Sequence, residues 1–165
     1  MRRRVLVTSL LLTTSLAGCA ALRQNMRGQE LSYRGAWYCK SGPCEAGEMS
    51  KSTTGTREDT TMINEVVLAP KAGLAFTAAA PFDALTATVR DCKGQSAEVP
   101  SADIVQPGAH GIGDADARES WLVWLDPASL SGLDRSKGCV WKVEASATWS
   151  DGATYSLTAG IEIGG

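Results

Sequence analysis

The clearest hydrophobic pattern lies toward the C-terminus. Over residues 139–149 the odd positions Cys139, Trp141, Val143, Ala145, Ala147 and Trp149 are apolar. The even positions Val140, Lys142, Glu144, Ser146 and Thr148 are mostly polar. A second run follows, in which Tyr155, Leu157, Ala159, Ile161 and Ile163 alternate with Thr154, Ser156, Thr158, Gly160 and Glu162. A period of two puts each apolar set on one face of a strand. Between the runs stands Ser150-Asp151-Gly152, and Asp-Gly supplies the backbone freedom of a tight hairpin turn. The pattern predicts a long antiparallel hairpin with one face against a core.

Upstream, Leu85, Ala87 and Val89 alternate with Thr86, Thr88 and Arg90, which predicts another half-buried strand. β-Branched or aromatic content predicts shorter strands at 33–39, 60–68 and 74–80. A weaker one is expected at 97–105, where Pro100 places it at an edge. Residues 121–125, WLVWL, are the most compact apolar run outside the N-terminal segment, stopped by Asp126-Pro127. Residues 45–59 are polar and read as a surface loop, and 106–119 as a second loop rich in Gly and Asp. A single helical turn is allowed around 128–130. Six to eight short strands without a long helical period predict an all-β domain. An antiparallel β-sandwich is expected first, because small residues such as Ala145, Ala147 and Ala159 alternate with large ones such as Trp141. A small closed barrel is second. The spacing of Cys92, Trp121 or Trp124, and Cys139 resembles the immunoglobulin pattern, a disulfide between two sheets packed on a tryptophan. That resemblance leaves an immunoglobulin-like topology open.

The N-terminus has a different grammar. Arg2, Arg3 and Arg4 precede an uncharged stretch at 5–18, the basic and apolar regions of an export signal. The stretch is short for a bilayer, which needs about twenty apolar residues. It ends in Leu16-Ala17-Gly18-Cys19, which resembles the lipobox of bacterial lipoproteins. The resemblance covers residues 1–19 alone. It implies cleavage before Cys19, a diacylglycerol on the Cys19 thiol and acylation of the new amino terminus, palmitate among the acyl groups expected. More than one chain makes a stable anchor, since each buried methylene contributes about 0.8 kcal/mol. Ala20 stands where Asp would resemble an inner-membrane retention signal, so an outer-membrane location is expected, with its periplasmic or surface face open. The expected organisation is a signal at 1–18, a lipidated cysteine and tether at 19–32, and one domain at 33–165.

Composition narrows the function. The whole chain has 16 basic and 18 acidic residues, and losing the three signal arginines moves the net charge from −2 to −5. An acidic exported domain is poorly suited to neutralising phosphates, so no nucleic-acid partner is expected. With Cys19 lipidated, Cys39, Cys44, Cys92 and Cys139 remain, an even number in an oxidising compartment. The turn Lys40-Ser41-Gly42-Pro43 favours Cys39–Cys44, which leaves Cys92–Cys139. Cys92 has the opposite parity to Leu85, so a bulge or a strand end must turn it toward its partner.

Candidate chemistry is sparse. His110 is the sole histidine and sits between glycines, and no Gly-x-Ser-x-Gly elbow accompanies it. Asp114, Asp116 and Glu119 offer oxygens for a divalent ion, yet their spacing departs from the twelve-residue calcium loop. No catalytic, cofactor or metal site is therefore expected, and the protein is read as non-enzymatic. Trp121 and Trp124 have opposite parity, so one of them faces away from the main core, to be covered by a loop or offered to a partner. The favoured function is a membrane-anchored structural or binding component of an envelope assembly with a protein partner. The alternative is a free-standing binder of a small molecule, glycan or divalent ion, using Trp121, Trp124, His110, Asp114 and Asp116.

Overall fold

A computed structural model describes residues 27–39, 49–51, 54–57, 60–66, 72–109 and 115–163. These form strands β1 (Ser32–Cys39), β2 (Met49–Lys51), β3 (Thr54–Arg57), β4 (Thr60–Val66), β5 (Ala72–Thr77) and β6 (Ala84–Arg90). They continue as β7 (Ser96–Glu98), β8 (Ile104–Val105), the one-turn helix α1 (Ala115–Arg118), β9 (Trp121–Leu125), β10 (Val140–Thr148) and β11 (Thr154–Ile163). The strands make two sheets, ordered β2-β1-β5-β9-β8 and β3-β4-β11-β10-β6-β7. The domain is an all-β sandwich with only short helical turns. Pairing is antiparallel throughout, except that β4 and β11 run parallel.

The hairpin forms as its alternation requires. Strands β10 and β11 pair in register from Val140↔Glu162 to Thr148↔Thr154. Gly152 takes φ 80°, which a side chain would disfavour, and closes the turn. Trp141, Val143, Ala145 and Ala147 of β10 are buried, as are Leu85, Ala87 and Val89 of β6. They meet Ala36, Ala72, Leu74, Phe76, Val123 and Leu125 of the other sheet in one core. Small alanines opposite large rings let the two layers close.

Four features depart from the expectations. The polar stretch at 45–59 contains β2 and β3, which pair with β1 and β4 through backbone hydrogen bonds and need no apolar alternation of their own. The single strand expected at 97–105 is two strands in different sheets, because Pro100 and the 3-10 turn at Ser101–Asp103 carry the chain across. Residues 27–31, assigned to the tether, already lie on the domain, with Gln29 and Leu31 buried. The Cys92–Cys139 bridge joins the ends of β6 and β10, neighbours in one sheet. It therefore differs from the inter-sheet immunoglobulin disulfide that the spacing resembled.

Candidate functional site

Strand β9 carries both candidate tryptophans on opposite faces. Trp124 points outward from its sheet but is only 7% exposed, covered by Trp37, Ala75, Leu122 and by Ala117 of α1. Its ring lies over Gly73, where a Cβ would come within 2.8 Å of Trp124 Cζ3. That close approach requires glycine, and it withdraws Trp124 from the partner surface proposed from sequence. Trp121 faces inward and is partly exposed. Its ring stacks on Phe82 at 5.2 Å, and Phe82 meets Trp149 edge-on at 5.6 Å.

Phe82 and Trp121 floor a groove of about 210 Å³, lined also by Thr77, Ala79, Pro107 and Glu119. Both ends of the 106–119 loop thus reach Trp121. His110 and Asp114 lie outside the described residues, as do Cys19, Cys44 and the side chains of Cys39 and Asp116. Sites for drug-sized ligands run to roughly 300–1,000 Å³, so the groove fits a side chain or a short apolar fragment.

The chain joins the sandwich at the same end. Ala80 donates its backbone N–H to the Gly28 carbonyl at 2.9 Å. Gln29 Nε2 donates to Asp151 Oδ2 at 2.9 Å, and the Arg27 guanidinium pairs with the same oxygen at 3.2 Å. The Gln29 amide is the first cause of a lowered Asp151 pKa. Asp151 thus serves twice, since its Oδ1 also accepts the Ala153 N–H that shapes the hairpin turn.

The opposite end of β10 holds a polar corner. Cys92 follows the end of β6, where the chain turns it toward buried Cys139, with Cα atoms 5.4 Å apart. Asp91, 5% exposed, accepts the N–H of Asp134 through Oδ2 and those of Lys93 and Gln95 through Oδ1. These bonds, Asp134's first, hold its carboxyl below the usual carboxylate range. The Lys93 ammonium, 2.6 Å from Asp134 Oδ2, does the same to Asp134, aided by Ser136, and is itself raised by that contact. Sequence reading missed this corner, although Asp91 before a Lys-Gly turn is the composition of an Asx-turn.

The corner has a pH signature. Both carboxylates titrate lower folded than unfolded, so their stabilisation is complete above the unfolded value and is lost as pH falls through the folded ones. Thermal denaturation should show Tm level near neutrality and falling below about pH 4. Asp91→Asn should lower Tm at pH 7 and flatten that acid limb. An unchanged acid limb would mean that the corner is not formed. Lys93 has the opposite slope, felt only as alkaline pH passes through its raised value.

Among the described residues, no three His, Cys, Asp or Glu side chains gather as a metal site. The chain matches no family model, no curated protein and no solved structure among those compared.

Proposed function

We propose that this chain is a lipid-anchored, non-enzymatic domain of the cell envelope, held at the outer membrane through Cys19, where it serves a protein assembly as a structural or binding component. The feature that carries this reading is Leu16-Ala17-Gly18-Cys19 behind a basic and apolar start, and the docking of residues 27–31 at the hairpin end of the sandwich sets which end of the domain is nearest that cysteine in the chain. Eight residue steps separate Cys19 from Arg27, which span about 28 Å at full extension. In this reading the hairpin end lies within that reach of the lipid. The disulfide corner, nine residues of β10 away, points outward by about 30 Å. The Cys92–Cys139 bridge supports export, since such bonds persist in oxidising compartments.

Cys19→Ser should shift the protein out of the membrane fraction, read by fractionation and blotting. Retention equal to the native chain would overturn the anchor. Gentle solubilisation and affinity capture of the native protein should then bring down a stoichiometric envelope partner. The groove beside Trp121 favours a second reading, a free-standing binder of a small apolar or glycan ligand. A lipidated monomer captured without a partner would favour that one.

A further inference from the structure

The six-stranded sheet has a gap in its side. Strand β6 pairs with β10 along its whole length, from Ala84↔Thr148 to Arg90↔Lys142. On its other edge β7 covers only Thr88, Val89 and Arg90, and one further bond runs from the Val99 N–H to the Ala87 carbonyl. Pro100 then turns the chain toward the other sheet. Hydrogen-bond parity fixes what remains. Trp149 bonds Ala153, so odd residues of β10 face β11 and even ones face β6. The register then directs the backbone groups of Leu85 and Ala87 outward. Among the described residues, the Leu85 N–H and C=O and the Ala87 N–H have no partner on that edge.

This bare edge is not an open flank. It forms one wall of a slot of about 600 Å³, and Glu98, Pro100, Ser101 and Ile104 form the other. Leu85, Val99 and partly buried Ile104 give it an apolar floor. Exposed carboxylates flank it, Asp83 just before β6 and Glu98 at the end of β7, neither ion-paired among the described residues.

We propose that this slot receives an extended peptide segment of a protein partner, which adds as a strand to β6 at Ala84–Thr86, short of Ala87, whose edge position Val99 already holds. The backbone groups supply affinity, as in other strand additions to a sheet edge. The chemistry fits a short strand with apolar residues on its inward face and a basic residue at each end. This deepens the partner-binding reading and rests on it for its purpose. Its test does not depend on the anchor.

The test uses the full-length protein, labelled with ¹⁵N and kept in detergent micelles, and the blocked peptide Ac-Lys-Val-Thr-Val-Thr-Lys-NH₂. Saturable shifts are expected at Leu85, Ala87, Glu98, Ser101 and Ile104, with slower exchange of the Leu85 amide. Methylating the peptide's backbone nitrogens should abolish these changes. Replacing its lysines by glutamates should weaken binding by about threefold or more, as for exposed charges. Ser101→Trp, at an exposed position, should fill the slot and remove binding while leaving the rest of the spectrum in place. Shifts elsewhere, none at all, or equal binding of the methylated peptide would overturn the proposal. So would a Leu85 amide already protected in a concentration-dependent way, which would give the edge to a second copy of this chain. None of these outcomes touches the Cys19→Ser fractionation.

Discussion

Trp141→Ala should cost about 3–5 kcal/mol of unfolding free energy, measured by urea denaturation. Domains of this kind carry only about 5–15 kcal/mol in all, so the variant should be near its unfolding threshold at 37 °C. The ring is fully buried on the inner face of β10, where the two sheets meet. Its Nε1–H also donates to the Asp134 carbonyl at 2.6 Å, which ties the core to the loop before the disulfide. Truncation therefore opens a cavity and removes a donor together. Trp141→Phe separates the two effects, because it keeps most of the apolar volume and strands only the carbonyl, at about 1–3 kcal/mol. Trp121→Ala should cost less than Trp141→Ala, since its ring is partly exposed. A loss below about 1 kcal/mol for Trp141→Ala would contradict this packing of the two layers.

The double variant Cys92→Ser/Cys139→Ser should lose about 4 kcal/mol, from the loop entropy of a 47-residue separation. Removing both thiols together avoids leaving a reactive single cysteine. The effect should appear in the denaturation midpoint, and reducing the native protein, which opens every bridge, should lower the midpoint at least as far. Asp91, Lys93 and Asp134 converge on the same corner, so loss of the bridge and Asp91→Asn should be non-additive. The spacing-based Cys39–Cys44 pair closes a much shorter loop, worth about 2 kcal/mol by the same relation. Double replacement with no change in midpoint would mean that the bridge does not hold this corner.

What the sequence made legible was local. The hairpin announced itself because each residue's polarity reports which side of a half-buried strand it occupies, and β6 shows the same alternation without exception. The Asp151-Gly152 turn needed nothing beyond its own two residues. The features that escaped are set by distant partners. Strands β2 and β3 are polar and take their register from β1 and β4. The parallel pairing of β4 with β11 joins segments nearly a hundred residues apart. No pattern in either of them encodes that. Pro100 was rightly read as an edge marker, since β7 and β8 both lie at sheet edges, but it also turns the chain from one sheet to the other, and only the finished sandwich shows where that chain goes.

The candidate site divides in the same way. Opposite parity of Trp121 and Trp124 correctly implied that one faces away from the core. Which one is covered depended on Ala117, Trp37 and the missing side chain of Gly73, none near β9 in sequence except Ala117. The role of Asp151 as the dock for Gln29 was equally hidden, because the turn already gave that aspartate a sufficient purpose.

The most direct test of the envelope reading is intact-mass analysis of the native protein from membranes, without reductant. The account predicts a chain that begins at Cys19, carries acyl groups on that residue and has no free thiol. A chain that retains Met1, an unmodified Cys19 or a titratable thiol at Cys92 or Cys139 would contradict it.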